Sequence, residues 1–159
     1  MKILVTGTPG CGKTTLAKRL GKKLKIDVIN EKDFALKNSI GHFNDEGELE
    51  IPIKEFEKKF NSFLIKNKDI IIEGHVVCEM KLKVDKVILL KVDPEELEAR
   101  LEQRNYPASK IMDNVFCEGI DYCQKLVLKN YSPKKVAFIR SLSSDALTYY
   151  SALKVLGFD

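Results

Sequence analysis

A glycine-rich motif near the N-terminus limits what this chain can fold into more than any other part of the sequence. Residues 7–14 read Gly-Thr-Pro-Gly-Cys-Gly-Lys-Thr, which satisfies the GxxxxGK[ST] pattern of a phosphate-binding loop. The apolar run Ile3-Leu4-Val5 precedes this loop, and a helical pattern from Thr15 to Leu24 follows it. Because the motif requires a strand before it and a helix after it, this context predicts a site for a nucleoside triphosphate.

The parts of this loop have different predicted roles. Glycine has no Cβ, so the backbone of the loop can wrap closely around phosphate oxygens, and the N–H groups at the start of the following helix face the anion. Lys13 is predicted to reach the β- and γ-phosphates, and the Thr14 hydroxyl is predicted to bind Mg²⁺. Cys11 is expected to contribute its backbone N–H, and its position near a helix N-terminus is expected to lower its pKa.

Composition and charge indicate a single globular domain over residues 1–159. Hydrophobic residues make up 44% of the chain and charged residues 31%, which is typical of globular proteins. There is no apolar stretch of the about 18 residues that a membrane span needs, and Lys13, Lys18 and Arg19 interrupt any signal-peptide core. We therefore expect a cytoplasmic protein without a membrane partner. The net charge of +4 suits anionic nucleotides and would permit contact with RNA, although most lysine-rich surfaces only face solvent.

The cysteines form no recognisable metal motif in the sequence. The chain has four, Cys11, Cys78, Cys117 and Cys123, without a C-x-x-C pair, and its two histidines do not cluster with them. A zinc site is therefore not expected, and reduced, partly buried thiols are the favoured interpretation.

Short apolar runs alternate with helical patterns along the chain. Five β-type runs are predicted: Lys2–Thr6, Asp27–Asn30, Asp69–Glu73, Lys86–Val92 and Lys135–Arg140. The helical patterns cover Thr15–Lys23, Ile53–Lys66, a segment with Asp93 as N-cap and Pro94 at its first position, Asn114–Asn130, and a C-terminal segment from Ser144 or Asp145. Strands that alternate with helices predict an α/β fold with a doubly wound parallel sheet of five strands, and ligands bind at the carboxyl ends of such strands.

Two segments lie outside this regular pattern. Residues 31–52 follow the second strand and hold two glycines and many carboxylates, and residues 103–113 lie between two helices. Both are expected to be irregular and to project from the edge of the sheet where ligands bind. Long excursions at that edge are often lids or binding flaps.

The end of the third predicted strand carries groups suited to binding metal and phosphate. Glu73, Gly74 and His75 follow an apolar core of isoleucines. A carboxylate beside the phosphate loop is expected to hold Mg²⁺ directly or through water, although Asp is more usual there; a solvated carboxylate is the alternative. Gly74 would permit a close approach of substrate or loop. His75 either positions a water or a phosphate, or is an ordinary polar residue.

Two arginines lie one helical turn apart. Arg100 and Arg104 share one face of the helix that begins near Asp93. Their guanidinium groups suit the charge that develops in phosphoryl transfer, whereas a surface pair such as Glu96–Arg100 is the alternative interpretation. Asp33, just beyond the second strand, either caps a helix or contacts an acceptor nucleotide, and capping is favoured.

Several separate segments resemble one family of small kinases. GTPGCGKTT at the N-terminus, IIIEGH on the third predicted strand, and RLEQRNYPASKIMDN followed by CE are similar to the adenylate kinase isoenzyme six family, in the same order and over nearly the whole chain. The phosphate loop is shared by many NTPases, whereas the RLExRxY…K…DNxxCE stretch is more specific. The resemblance implies a P-loop NTPase fold in which Glu73 and His75 match a strand-end acid and a nearby histidine.

The resemblance also implies an activity. ATP and AMP would be converted to two ADP with Mg²⁺, with accompanying ATPase activity and a role in maturing small-subunit ribosomal RNA through a ribosomal protein partner. Residues 28–51 would form a monophosphate-binding flap and residues 103–113 a short lid. The residues implied to hold the ATP phosphates are Gly10, Gly12, Lys13, Thr14 and Thr15. Arg104 would contact ATP from the lid.

The acceptor side of this predicted site is less well defined. Related sequences carry an arginine soon after the position of Asp33, whereas this chain has Leu36 and Lys37 there. Asp33, Lys37 and Arg100 are predicted to bind the acceptor, which is AMP or another nucleoside monophosphate. Shikimate-type kinases usually show a glycine triplet after the third strand, where this chain reads Glu-Gly-His.

The predicted mechanism is positional and electrostatic. Lys13 and Mg²⁺ would stabilise the transferred phosphoryl group, Arg104 would join when the lid closes, and His75 is a further candidate catalytic residue. A short lid would exclude water incompletely, which leaves ATPase activity beside kinase activity. Two alternatives stay open: an ATP-driven assembly factor that binds a ribosomal protein or pre-ribosomal RNA, and a kinase for another acceptor such as CMP or dUMP.

Overall fold

A parallel sheet of five strands forms the centre of the computed structural model, which describes residues 1–158. With a small hairpin included, the strands are β1 (Lys2–Thr6), β2 (Asp27–Asn30), β3 (His42–Phe43), β4 (Leu49–Glu50), β5 (Ile70–Gly74), β6 (Lys86–Lys91) and β7 (Val136–Arg140). The central sheet has the order β2-β5-β1-β6-β7 with every pair parallel, and β3 pairs with β4 antiparallel. The chain thus moves to one side of β1 for β2 and β5 and to the other side for β6 and β7, which creates a crevice for ligands at the end of β1.

Helices cover both faces of this sheet. They are α1 (Lys13–Leu24), α2 (Glu31–Lys37), α3 (Ile53–Lys66), α4 (Pro94–Gln103), α5 (Ala108–Gly119), α6 (Tyr122–Asn130) and α7 (Asp145–Val155). Two short 3₁₀ turns cover Val76–Glu79 and Pro133–Lys135. Within residues 1–158, none of the helices combines the length and the apolar character that crossing a membrane requires.

The three central strands β1, β5 and β6 are buried on both faces of the sheet, so the molecule has two hydrophobic cores. In β1, Leu4 belongs to the core that packs under α2, α3 and α6, whereas Ile3 and Val5 belong to the core under α1, α4 and α7. Phe56 and Phe60 of α3 are fully buried in the first core. The continuous apolar runs of β5 and β6 follow from this arrangement, because alternate side chains enter opposite cores.

The predicted α/β class and five-stranded parallel sheet are confirmed, and most element bounds agree within two residues. The single helix predicted over Asn114–Asn130 is wrong, because two helices occupy this segment. Asp121 lies between them with a φ of +56° and starts α6 from the left-handed region. A non-glycine residue in that conformation ends one helix and redirects the next.

Both segments predicted to be irregular contain regular structure. Helix α2 and the β3–β4 hairpin occupy much of residues 31–52, and α5 begins inside residues 103–113. The prediction that Asp33 caps a helix is also wrong. Instead, Oδ1 of Asn30 accepts the backbone N–H of Asp33 at 3.2 Å and caps α2.

Candidate functional site

The phosphate-binding loop between β1 and α1 is fixed by its glycines and by its contact with α4. Gly10 and Gly12 have φ angles of +92° and +95°, a region that favours glycine. A Cβ on Gly10 would also lie 2.9 Å from Cδ2 of Leu101 and 3.0 Å from Cδ1 of Leu97, both on α4. The loop leads directly into α1, whose first backbone N–H groups and helix dipole favour an anion at this point.

Lys13 is the first residue of α1, and its side chain turns back over the loop. Its Nζ donates a hydrogen bond of 3.1 Å to the carbonyl oxygen of Thr8 and lies 4.0 Å from Sγ of Cys11. Cys11 is fully buried, and burial raises the pKa of its thiol even though Lys13 acts to lower it. The expected lowering of the Cys11 pKa is therefore wrong, because desolvation of the thiolate outweighs the nearby positive charge.

Glu73, near the end of β5, meets the first turn of α1. Its side chain is only 2% exposed, so the alternative of a solvated carboxylate does not apply. Oε1 accepts a hydrogen bond of 3.1 Å from the Thr14 hydroxyl and one of 2.7 Å from the Asn30 amide. A hydroxyl and a carboxylate beside the loop are hard oxygen ligands of the kind that Mg²⁺ prefers, so these residues fit that ion. Asn30 was not among the residues predicted from the sequence, because it reaches Glu73 only through the β2–β5 register, in which these two residues are paired.

A second buried carboxylate, Glu31, explains why glycine is needed at position 74. Glu31 is 4% exposed and accepts three backbone N–H groups, from His75 at 3.0 Å, Val76 at 3.2 Å and Val77 at 3.0 Å. Burial raises the pKa of this carboxyl group, and the three N–H donors partly oppose that rise. A Cβ on Gly74 would overlap the Glu31 carboxylate, so the group that approaches this glycine closely is a side chain of the protein itself.

A third buried carboxylate, Glu118 of α5, holds the phosphate loop from the other side. Glu118 is 5% exposed, and its Oε2 accepts a hydrogen bond of 2.6 Å from the Thr8 hydroxyl. Its Oε1 accepts the N–H of Val92 at 3.0 Å and lies 3.3 Å from Nζ of Lys91. Glu118 therefore fixes Thr8, the residue whose carbonyl Lys13 contacts. This contact is a structural reason for a carboxylate at position 118.

His75 lies beneath the loop, in contact with sulfur. Its Nδ1 is 3.1 Å from the Gly7 carbonyl oxygen and 3.4 Å from Sγ of Cys123. Burial lowers the pKa of this imidazole, but the hydrogen bond and charge of Cys123 raise it further, so its pKa lies above the ordinary value. The expectation that the histidines do not cluster with cysteines is wrong for His75, which is grouped with Cys78 and Cys123. The catalytic role of His75 stays a prediction.

A groove of about 370 Å³ runs between the phosphate loop, α4 and the segment after β7. Five residues that were predicted to bind nucleotide or acceptor line it together: Gly10, Gly12, Thr15, Arg100 and Arg104. Leu142, Ser143 and Asp145 form part of its wall as well. The segment after β7 carries no motif, so the sequence did not indicate these three residues.

The two arginines of α4 have different surroundings. Arg100 is partly buried, and its Nη1 donates to the Ser141 hydroxyl at 2.9 Å while its Nη2 donates to Glu96 at 2.6 Å. The predicted i,i+4 pair with Glu96 is thus present. Arg104 caps the end of α4 with an exposed side chain at the groove.

A separate cavity of about 590 Å³ lies between β2, α2 and α3. Asp33 and Lys37 line it, together with the phenyl rings of Phe34 and Phe63 and the lysines Lys59 and Lys66. The structure therefore divides the predicted acceptor residues, because Arg100 lines the groove along α4 and Asp33 and Lys37 line this cavity.

The predicted flap and lid touch each other through an ion pair. Lys110, in the first turn of α5, lies 3.6 Å from Oε2 of Glu46 and also pairs with Glu48. Both glutamates belong to the connection between β3 and β4. The segment 28–51 and the segment 103–113 are thus in contact through these ion pairs.

Comparisons with known proteins identify a family and several relatives to which this chain is similar. The model of the AAA domain family matches residues 3–121. A protein of Thermococcus kodakarensis named "Putative adenylate kinase" is 40% identical over 121 residues, which cover 76% of this chain and 66% of that relative. A protein of the same name from Methanocaldococcus jannaschii is 37% identical over 125 residues, with 77% of this chain and 70% of the relative covered. The chain spans slightly less than two thirds of the length of the Thermococcus relative.

Solved structures share the fold across almost the whole chain. A shikimate kinase from Bacteroides thetaiotaomicron superimposes with a TM-score of 0.65 at 18% identity and covers 99% of both chains. A gluconokinase from Sinorhizobium meliloti gives a TM-score of 0.64 at 11% identity, with 98% of this chain and 91% of that chain covered. At these identities the likeness establishes the fold alone, an α/β fold with a five-stranded parallel sheet flanked by helices.

Proposed function

Because this chain belongs to the AAA domain family and has relatives that carry an adenylate kinase name, we propose that it transfers the γ-phosphoryl group of ATP to AMP and forms two ADP. One observation supports this proposal above the others. A chain of hydrogen bonds runs from Thr14 through Glu73 to Asn30, and so connects the phosphate loop beside the groove with the cavity between α2 and α3. Two openings joined by a phosphate-binding centre suit the two nucleotides of a transfer reaction.

The donor ATP is assigned to the loop and the groove. Its phosphates would lie against the loop backbone and the N-terminal end of α1, where N–H groups and the helix dipole favour negative charge. Lys13 would exchange its contact with the Thr8 carbonyl for the β- and γ-phosphates. The adenosine part would extend along the groove past Arg100 and Arg104.

Thr14 and Glu73 are the residues that would hold Mg²⁺. When bound there, the ion supplies positive charge that neutralises the phosphate oxygens. The Asn30 amide fixes the Glu73 carboxylate through its 2.7 Å hydrogen bond, so the acid is oriented before any ligand binds.

The acceptor is assigned to the cavity of about 590 Å³. Phe34 and Phe63 line the cavity with apolar surface against which a base can pack. Lys37, Lys59 and Lys66 offer positive charge for a phosphate. This lining supports a nucleoside monophosphate as the acceptor class, and the choice of AMP rests on the names of the relatives.

ATP hydrolysis would accompany the transfer. The Lys110 contacts with the exposed Glu46 and Glu48 join the hairpin to α5 at the surface, and surface ion pairs of this kind are weak. A closure held by weak pairs excludes water incompletely, so part of the ATP would be hydrolysed. Arg104 would add its charge to the phosphates when these two segments close over the site.

A role in small-subunit ribosome assembly is the second candidate function. It is supported by the resemblance of GTPGCGKTT, IIIEGH and RLEQRNYPASKIMDN to the isoenzyme six family and by a net charge of +4, which permits contact with RNA. In this alternative, ATP turnover drives binding and release of a ribosomal protein or pre-ribosomal RNA, and phosphoryl transfer is incidental.

Acceptor dependence distinguishes the two candidates. The purified chain is incubated with ATP and Mg²⁺ and with AMP, CMP or dUMP in turn, and the products are separated by anion-exchange chromatography. We expect ADP to form fastest with AMP, and Lys37→Ala to raise the KM for AMP while the exposed control Lys54→Ala does not. ATP turnover that ignores every monophosphate but rises with a small-subunit ribosomal protein would remove the kinase proposal.

A further inference from the structure

Beneath the phosphate loop, two thiols and one imidazole converge from three different elements. His75 follows β5, Cys78 belongs to the 3₁₀ turn Val76–Glu79, and Cys123 is in the first turn of α6. One ligand atom of each lies within 4.8 Å of the other two. Cys78 is fully buried and Cys123 is 3% exposed, whereas His75 is partly buried.

We propose that His75, Cys78 and Cys123 form a binding site for a thiophilic metal ion, with Zn²⁺ as the ion. Two sulfur ligands and one nitrogen ligand form a donor set that zinc uses in proteins, and three protein ligands leave a fourth position for water. Sulfur ligands disfavour the hard ion Mg²⁺, so this site and the Thr14–Glu73 site select different metals.

The spacing of the three side chains fits tetrahedral zinc. With Zn–S near 2.3 Å and Zn–N near 2.0 Å, sulfur and nitrogen ligands in a tetrahedral site lie about 3.5 Å apart. Sγ of Cys123 and Nδ1 of His75 are 3.4 Å apart, so these two ligands already have the required separation. The cluster has no sequence motif, because Cys123 lies 45 positions from Cys78 and is brought to it by the packing of α6.

The charges of the zinc ion and its ligands would cancel, which matters because the site is buried. Each thiol releases its proton to solvent on binding, so one Zn²⁺ with two thiolates and a neutral imidazole carries no net charge. A neutral cluster avoids the cost of an unpaired buried charge. Lys13, which already faces the neighbouring thiol of Cys11 at 4.0 Å, would therefore not meet a net positive centre.

One existing contact must change when the metal binds. Nδ1 of His75 lies 3.1 Å from the Gly7 carbonyl, which requires a proton on that nitrogen if the contact is a hydrogen bond. Coordination requires the lone pair of the same nitrogen, so His75 would release Gly7. A neutral hydrogen bond to a carbonyl is weaker than a zinc–imidazole bond, so the exchange favours the metal.

Cobalt titration tests this site with a natural control in the same chain. The full chain, stripped with a chelator and kept reduced, is titrated with Co²⁺ and then with Zn²⁺. We expect one equivalent of Co²⁺ to give thiolate-to-cobalt absorption that Zn²⁺ removes. Cys78→Ser and Cys123→Ser should weaken Co²⁺ binding by at least about 100-fold, since even changes behind a ligand cost 10- to 100-fold. Cys117→Ser, which changes a cysteine outside the cluster, should bind as the wild type does.

Native mass spectrometry of the unmutated chain keeps the proposal testable if a serine variant does not fold. The expected species carries one zinc and lacks two protons. Absence of thiolate-to-cobalt absorption and of a zinc-bound mass in the wild-type chain would overturn the proposal, as would thiolate absorption that Cys117→Ser abolishes and that Cys78→Ser and Cys123→Ser retain.

Discussion

The hydroxyl of Thr14 donates a hydrogen bond of 3.1 Å to Oε1 of Glu73, across 59 positions of the sequence. This contact joins the helix after the phosphate loop to the end of the strand beside β1. It places a hydroxyl and a buried carboxylate at the point where Mg²⁺ would meet the phosphates.

Glu73→Gln should therefore remove metal-dependent turnover and leave the fold intact. The glutamine keeps the size of the side chain but loses the negative charge that would hold Mg²⁺, and we expect kcat to fall by at least about 100-fold. Rates measured over a range of Mg²⁺ concentrations check this, with Glu98→Gln on the exposed face of α4 as the matched control. Equal Mg²⁺ dependence in Glu73→Gln and wild type would contradict the assignment.

Substitution of the two arginines of α4 should have different effects, because Arg104 would contact substrate and Arg100 stabilises the fold. Arg104→Ala should lower kcat/KM for ATP by about 100-fold and change stability by less than about 0.5 kcal/mol, because its side chain is exposed. Arg100→Ala should destabilise the fold by about 1–2 kcal/mol, because it removes the hydrogen bonds to Ser141 and Glu96. Steady-state kinetics and urea unfolding of both variants measure the two effects. The assignment fails if Arg104→Ala loses stability and Arg100→Ala does not.

Lys110→Ala should increase ATP hydrolysis relative to phosphoryl transfer. The half-buried Lys110 side chain pairs with the exposed Glu46 and Glu48, and surface pairs of this kind contribute less than about 1 kcal/mol. The ratio of inorganic phosphate to ADP should consequently rise by no more than about 5-fold. Lys110→Arg should keep the wild-type ratio, and Lys54→Ala serves as a charge-matched control. An unchanged ratio in Lys110→Ala would mean that this ion pair does not help to exclude water.

Glu31→Gln should destabilise the protein without any change in a catalytic group. Both carboxylate oxygens of Glu31 accept backbone N–H groups, so an amide would turn one acceptor into a donor that faces another donor. We expect a loss of about 1–3 kcal/mol in the free energy of unfolding. Urea denaturation against the exposed control Glu98→Gln measures it; equal stability of the two variants would show that Glu31 does not hold the turn after β5.

Strong local signals made part of this fold predictable from the sequence. The glycine pattern of residues 7–14 predicts the loop, and Pro94 after Asp93 predicts the start of α4. The break at Asp121 was not predictable, because an aspartate in the left-handed region has no distinct local signal. The same holds for the cap of α2, where Asn30 and Asp33 are both good capping residues and only the fold decides between them.

Site residues that lie on a single strand or loop were predictable from the sequence. Site residues that are brought together by the packing of separate elements were not. Glu73 follows an apolar run and could be identified from position alone. Asn30 reaches Glu73 only through the pairing of β2 with β5, and Glu118 reaches Thr8 only through the packing of α5. The grouping of His75 with Cys123 likewise depends on the position of α6, so counting spacings between cysteines did not reveal it.

Following a labelled phosphate tests most directly whether the chain transfers the γ-phosphoryl group of ATP to AMP. The wild-type chain is incubated with Mg²⁺, AMP and ATP labelled in the γ-phosphate, and the products are separated by chromatography. The account predicts that most of the label appears in ADP, and that Lys13→Ala, which removes the charge beside the loop, abolishes this transfer. Label released as inorganic phosphate while AMP stays unchanged, or transfer at the wild-type rate by Lys13→Ala, would contradict it.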